Sequence, residues 1–321
     1  MGRYLLTRLV FALLLVFIVS SAAWLLTRVV PGTFVDQECV TLSPKECDDL
    51  RKRLGLDRPL WAEYLSWLSH AVRFDFGESL LYSRPVGPLI VERAANTAML
   101  ATIALVAATL IGIPLGIYSG TRAGIGRAIV RTLSVIAVSV PPLIGSLALV
   151  FLASRTGWFP VGGMSSAGGA EMTWAAWLAD VARHLPLPAL ALAIPMAATL
   201  ERLQSEAIAA SSREPFVAAS RARGVARARS ILSHAWPVSL RPILGLYGVM
   251  IGTLFSGSFI VEVVTSWPGL GRLMWDALKA RDLFLVAGCA ATGALFLAAG
   301  TLIADLLLAY TDPRVRSGER A

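Results

Sequence analysis

The side chains from which chemistry could be built are few and badly spaced for it. His70, His184 and His234 are scattered along the 321 residues, and no His-Glu-x-x-His pair exists, so a helix-borne zinc centre has no ligand set. No lysine follows a glycine, which removes the glycine-rich loop ending in Gly-Lys-Ser/Thr that cradles nucleotide phosphates. Ser256 and Ser258 flank Gly257, but a nucleophilic serine needs a histidine at its own depth and the neighbouring apolar stretches offer none. Glu201, Glu262 and Asp305 are the carboxylates that an ion-coupled transporter or channel would have to use. They are not clustered at mid-membrane, and no inverted half-repeat is visible. Asp305 itself reads either as an intramembrane functional group or as a helix-end carboxylate facing water. The chain therefore carries no engine, and any work it does draws energy from another protein.

Recognition chemistry, by contrast, is concentrated between Ser205 and Pro242. Arg213, Arg221, Arg223, Arg227 and Arg229 lie in this stretch, around a run of small residues, Ala218, Ala219, Ser220 and Ala222, closed by Gly224. Pro215 suits a first helical turn, Ser212 or Glu214 can supply a capping oxygen, and Gly224 is the natural stop. At about 100° per residue, Ala218, Ala219 and Ala222 share one side, with Phe216 and Ser220 beside them and Arg221 next to Val217. A helix of about three turns is marginal alone in water, so it has to dock. Two surfaces suit it: a protein whose carboxylates meet the flanking arginines, or an anionic lipid face.

The elements that must position this stretch are membrane spans. The chain is 56% hydrophobic and 16% charged, which excludes a soluble globular class. Segments free of Asp, Glu, Lys and Arg run from Leu9 to Thr27, Ala94 to Thr121, Thr132 to Ser154, His184 to Leu200, Pro242 to Val261 and Leu283 to Ala304. Each is near or above the roughly 20 residues that cross a bilayer, and the fourth, with Pro186, Pro188 and Pro195, is the shortest. The first reads as an uncleaved span in preference to a cleavable signal peptide, for which Ser21 and Ala23 are small enough, because its apolar run continues through Leu25, Leu26 and Val29, beyond a usual signal-peptide core. Six spans put both termini on one side. Arginines gather at the N-terminus (Arg3, Arg8), in 122–131, in 202–241 and at 314–320, so that side is cytoplasmic. The net charge of +8 is then explained by membrane-flanking loops without any nucleic-acid partner.

Along the chain, 31–93 reads as an extracytoplasmic segment with a helix from Ser43 to Leu54, capped by Ser43. A second helical pattern places Trp61, Tyr64, Leu65, Trp67 and Leu68 at the membrane interface. Cys39 and Cys47 lie close together on this oxidising side, as a disulfide or as two free thiols, and Cys289 reads as a small apolar residue. Gly112, Gly116 and Gly120 form a close-packing face, and Gly248, Gly252 and Ser256 repeat it, within the chain or across a dimer. Val140-Pro141-Pro142 breaks the third span near its middle, as backbone lining a cavity does. Trp174 and Trp177 belong to an amphipathic helix at the outer interface.

Several motifs, taken together, resemble one family. They are Gly55-Leu56-Asp57-Arg58-Pro59-Leu60-Trp61, Phe74-Asp75-Phe76-Gly77-Glu78-Ser79, Ile111-Gly112-Ile113-Pro114-Leu115-Gly116, and Ser139-Val140-Pro141-Pro142. With them go Leu185-Pro186-Leu187-Pro188-Ala189-Leu190, Arg221-Ala222-Arg223-Gly224, Trp267-Pro268-Gly269-Leu270-Gly271-Arg272 and Asp312-Pro313-Arg314. The chain resembles the permease subunits of bacterial ABC importers of the dipeptide and oligopeptide class, specifically the first of the two paired permeases. The resemblance implies an all-α polytopic membrane protein with six transmembrane helices in the type I importer fold. Its parts would be 1–30 with the first span, an extracytoplasmic 31–93, a five-helix core over 94–312 and a cytoplasmic tail 313–321. It implies that about 214–224 is a coupling helix of the EAA type, placing Glu214, Phe216, Ala218, Ala219, Ser220, Arg221, Ala222, Arg223 and Gly224 against an ATPase. The pattern is altered here: the first motif position, acidic in the wider class, is Ala218, and His234-Ala235-Trp236-Pro237 keeps only the proline of the downstream element. The implied partners are a second permease, two cytoplasmic ATPases that carry ATP and Mg, and an extracytoplasmic binding protein delivering peptides. The chain itself is implied to be non-catalytic, to bind no cofactor or metal, and to lie in the bacterial plasma membrane. Related permeases handle nickel complexes or glutathione, which stand as alternative cargoes.

Overall fold

The computed structural model describes residues 2–29, 35, 39–53, 59–166 and 172–311. Gly55 to Arg58, the motif Asp312-Pro313-Arg314 and the tail 313–321 lie outside the described residues. The described chain is almost wholly helical, its sheet being one antiparallel hairpin, β1 (Glu78–Ser79) with β2 (Arg84–Pro85). Its contacts divide into two compact units, one built on Ala98–Trp267 and one on Thr7–Thr97 with Pro268–Ala298.

The helices are α1 (Gly2–Val29), α2 (Pro44–Arg53), α3 (Leu60–Ala71), α4 (Val86–Thr121), α5 (Ile125–Ser139), α6 (Pro142–Thr156) and α7 (Trp174–His184). They continue with α8 (Pro186–Ser211), α9 (Pro215–Ala222), α10 (Arg227–Ser230), a π-helical turn Ile231–Ala235, α11 (Trp236–Ser239), α12 (Arg241–Val264), α13 (Leu270–Ala280) and α14 (Leu283–Thr311). Three helices are long and apolar enough to cross a membrane alone: Leu6–Arg28 of α1, all of α4, and Leu283–Ile303 of α14. Three bent pairs reach the same criterion together: α5 with α6 at 107°, α7 with α8 at 42°, and the rod Arg227–Ser239 with the start of α12 at 50°.

The 107° corner follows from the sequence. A residue before proline is driven out of helical dihedrals, and Val140 (φ −81, ψ 119) and Pro141 (φ −58, ψ 144) are both extended. Pro142 then starts α6, where its missing N–H is harmless. The fourth span is not the shortest element that its charge-free length suggests. Helix α8 runs on through Glu201 to Ser211, because Glu201 and Gln204 are buried in packing instead of ending the helix in water.

In the Ala98–Trp267 unit, α8 is the axis, touching α5, α6, α7, α11 and α12. More than half of its residues are buried, and many are alanine, which lets neighbouring backbones come close. Its apolar core joins Leu100, Ala104 and Ala108 of α4 to Leu192, Ala193 and Leu200 of α8, Leu254 of α12, and Trp267. The glycine face of α4 is used within this chain. A Cβ on Gly112 would fall 2.5 Å from the Ala197 carbonyl oxygen, and one on Gly116 would fall 2.7 Å from that of Glu201. Gly248 of α12 is buried and Gly252 half-buried, while the Ser256 side chain lies outside the described residues.

The second unit packs Trp24 of α1 against Tyr64 and Trp67 of α3, with ring centroids 5.4 and 6.1 Å away. The aromatic pattern of α3 thus turns partly inward: Trp67 is buried and Trp61 remains exposed. Helix α2 starts with a reciprocal capping box, in which the Ser43 N–H and hydroxyl both donate to the Glu46 carboxylate, at 3.0 and 2.7 Å. Cys39 and Cys47, just ahead of and inside it, are joined by a disulfide. Asp282 ties the hairpin down. Its carboxylate accepts from the Ser79 hydroxyl (2.7 Å) and the Leu81 N–H (3.0 Å), and its other oxygen caps α14 through the Leu285 N–H (3.1 Å).

Candidate functional site

Both ends of α9 are encoded locally. At its start Glu214 is extended (φ −64, ψ 145) and its carbonyl accepts from the Val217 and Ala218 N–H groups, at 3.0 and 3.2 Å. Neither Glu214 nor Ser212 caps the helix with its side chain, contrary to the expectation from sequence. With Pro215 lacking an N–H and Phe216 at the surface, solvent can hydrate the first turn. At its end the Gly224 N–H bonds the Arg221 carbonyl (2.9 Å) and the Val225 N–H bonds the Ser220 carbonyl (3.3 Å), the pair of a Schellman stop. Gly224 sits at φ +87, the left-handed region that glycine enters without a Cβ penalty.

One stripe of α9 faces inward. Val217, 1% exposed, packs with Ile208 of α8 and Ala235 of the π-helical turn, with Ile231 and Trp236 around them. Ser220 lies on the same stripe, one turn on, and is fully buried with no partner for its hydroxyl. Ser220 therefore does not belong to the presented surface on which the sequence pattern placed it. Glu214, Phe216, Ala218, Ala219, Arg221, Ala222, Arg223 and Gly224 are all exposed. The result is a shallow face of three alanines beside one phenylalanine, flanked by Arg213, Arg221, Arg223 and Arg229, none with an acidic partner among the described residues. Such a face admits close approach of another backbone and offers fork-shaped donors to carboxylates at its rim.

Side chains that sequence reasoning passed over fix this face to the spans. The Arg227 guanidinium donates to the Thr121 carbonyl at the end of α4, at 2.8 Å. The Gln204 amide donates to the Ser239 hydroxyl of α11 (2.8 Å), and Arg131 of α5 donates to the Ser205 hydroxyl (3.2 Å). The Ser119 hydroxyl of α4 donates to the Glu201 carboxylate of α8. Between α9 and α12 the rod passes through the π-helical turn, where the Trp236 N–H reaches back to the Ile231 carbonyl. Pro237 follows at once, with no N–H for the Ser233 carbonyl, and a single π turn accommodates that gap. The usable signal in the sequence was a polar residue every few positions along α8, at 201, 204 and 205, facing the glycines of α4.

A cavity of about 270 Å³ lies in the same unit, lined by Pro142, Leu192, Pro195, Met196, Thr253 and Leu254. It adjoins the corner between α5 and α6 and the proline inside α8, where broken backbone is tolerated because it faces a cavity. The carboxylates considered for ion coupling are not gathered around it. Glu201 is buried against Ser119, Glu262 is fully buried, and the Asp305 side chain lies outside the described residues. Among the described residues no cluster of three or more His, Cys, Asp or Glu could hold a metal ion.

In sequence, the chain is similar to known proteins over nearly its whole length. A family profile described as "Binding-protein-dependent transport system inner membrane component" matches residues 112–317, and its N-terminal companion matches residues 1–101. The dipeptide transport system permease protein DppB of Lactococcus lactis is 32% identical, covering 98% of this chain and 100% of that protein. The oligopeptide transport system permease protein OppB of Mycobacterium bovis is 32% identical, over 98% and 99%. The oligopeptide transport system permease protein AppB of Bacillus subtilis is 29% identical, over 98% and 99%.

Proposed function

The chain belongs to the family of binding-protein-dependent transport system inner membrane components, and from that premise we propose that α9 is the part through which ATPase movement enters it. The chain is a permease subunit of an ABC importer of the dipeptide and oligopeptide class. Its cargo is peptide, handed over by an extracytoplasmic binding protein, and a second permease completes the path. Six spans are formed if each bent pair counts as one, with both termini cytoplasmic. ATP and Mg belong to two ATPase subunits.

The observation that carries the coupling role is the division of α9 into a seated stripe and an open one. Val217 anchors the helix on α8, while Phe216 and the alanines face outward between unpaired arginines. Force applied to the open face passes through Ile208 and along the close-packed α8 to α4 and α12. Two such permeases would then rock about their common path, as rigid bodies do in alternating access. The test replaces Ala219 with Arg and Phe216 with Glu, which leaves the seated stripe intact. Copurification of the ATPases and peptide-stimulated ATP hydrolysis in vesicles should both fall; retention of both would end the coupling reading. An ion-driven reading has less support, because the two described carboxylates that it needs are buried in helix packing.

A further inference from the structure

The arginines between α4 and α12 divide by use. Arg227 donates to the Thr121 carbonyl (2.8 Å), Arg131 donates to the Ser205 hydroxyl (3.2 Å), and Arg122 lies over the Tyr118 ring at 5.3 Å. Arg221 of α9 and Arg223 at its end are not engaged in this way. Both are exposed, and among the described residues neither guanidinium has a hydrogen bond, an ion pair or a ring contact. Nor does the helix need them as caps. Its last carbonyls, those of Ala219, Ser220 and Arg221, already accept from the N–H groups of Arg223, Val225 and Gly224. The two arginines also stand on opposite shoulders. With Val217 and Ser220 marking the seated stripe, a turn of about 100° per residue puts Arg221 about 70° to one side of it and Arg223 about 90° to the other. Phe216 shares the Arg223 side, and Ala218, Ala219 and Ala222 fill the exposed arc between the shoulders.

A ridge of methyl groups with a guanidinium fork on each shoulder fits a groove whose walls carry carboxylates, the bidentate partner of arginine. Anionic lipid would supply the charge but lies in the wrong place. Helix α8 has 26 residues and is about 39 Å long, against a hydrocarbon core of about 30 Å. Its surplus is at the polar end, past Glu201, Gln204 and Ser205, where α9 is seated on Ile208. The alanine ridge faces away from that seat, and so away from a headgroup layer about 5–8 Å deep. Resting on the reading of α9 as the ATPase contact, we propose that the groove receiving it is acidic, with carboxylates on one wall for Arg221 and on the other for Arg223. Pairing on both walls then fixes the register of α9 in the groove.

The test titrates purified ATPase subunits against the permease pair in phosphatidylcholine nanodiscs, with and without phosphatidylglycerol. Arg221→Gln combined with Arg223→Gln should weaken ATPase binding about tenfold in about 50 mM salt, and less than about threefold in about 500 mM, where charge pairs at a rim are screened. Arg221→Glu should weaken it further than Arg221→Gln. ATPase variants selected to restore peptide uptake to Arg221→Glu should exchange an Asp or Glu for a neutral or basic residue. Arg202→Gln, which removes an exposed arginine of α8, should change nothing. Binding unchanged in the double Gln variant while Ala219→Arg abolishes it would overturn the acidic groove and leave the coupling reading standing; indifference to all of these substitutions would end both. An arginine effect confined to nanodiscs with phosphatidylglycerol would assign the pair to lipid. Binding lost in step with a lowered melting temperature would make them stabilisers of their own helix end. Either result overturns the proposal.

Discussion

The Ser119 hydroxyl on α4 donates to one oxygen of the Glu201 carboxylate on α8, and the other oxygen of that carboxylate is buried with no partner. The pair sits where the glycine face of α4 meets α8, so a carboxylate that could have ended a span is instead part of a helix seam. Ser119→Ala leaves Glu201 buried with no hydrogen bond and should destabilise the subunit by about 1–3 kcal/mol. Thermal unfolding in detergent reads this. A double-mutant cycle with Glu201→Gln should show coupling between the two sites, and additive effects would mean that the contact is unimportant.

The α4 glycines should tolerate no side chain. A Cβ on Gly116 would lie 2.6 Å from the Gln204 Cβ and 2.7 Å from the Glu201 carbonyl oxygen, so the helices must separate. Gly116→Ala and Gly112→Ala should each cost about 1–3 kcal/mol, the usual penalty of overpacking. Gly293→Ala, with nothing within 4 Å of its Cβ, is the matched control and should be silent. Equal melting temperatures for all three would contradict the packing described.

Gly224 differs from those glycines, since a Cβ there meets nothing within 4 Å and only its φ of +87 demands glycine. Gly224→Ala should therefore cost about 1–2 kcal/mol through the backbone alone. Gly224→Asn, which tolerates the left-handed region, should recover part of it. Peptide uptake should follow the order Gly, Asn, Ala, and a steric role would instead make Asn worse than Ala.

Asp282 holds three donors at once, two from the hairpin region and one at the head of α14. Asp282→Ala should loosen residues 79–85 and fray the start of α14, at a cost of about 1–3 kcal/mol. Hydrogen exchange is the direct readout: protection should drop at Leu81 and Leu285 while α9 is unaffected. Loss confined to α14 would separate the hairpin from this clamp.

Bonds from the Ser43 hydroxyl and N–H hold the exposed Glu46 carboxyl below its ordinary value. A carboxylate with a lowered folded value stabilises its element at pH above the unfolded value, and the contribution disappears as pH falls through the folded one. Amide protection over 44–50, corrected for intrinsic exchange, should thus be constant near neutrality and decline only below about pH 4. Glu46→Gln should flatten that decline; an unchanged acid profile would remove the capping box from the explanation.

Much of the fold and part of the site were legible in the residue order. Charge-free runs marked the membrane helices, Pro141 and Pro142 marked a corner, and Pro215 with Gly224 bracketed α9, because these signals act through a residue's own backbone and immediate neighbours. Less legible was which side of α9 is presented. The small-residue run placed Ser220 among the presented residues, but Ile208 and Ala235, distant in sequence, claim the stripe holding Val217 and Ser220. The end of α8 was misread for the same reason, since a scan for charges stops at Glu201 and has no knowledge of Ser119.

The sequence by itself determined that this is a helical membrane chain, since composition and local dihedral preference suffice for that. Only the tertiary structure decided that the α4 glycines are spent on α8 within this chain, that Glu201 is a buried seam residue, and which residues of α9 remain free. Those outcomes depend on contacts between residues tens of positions apart, and burial there is settled by whichever surface arrives opposite.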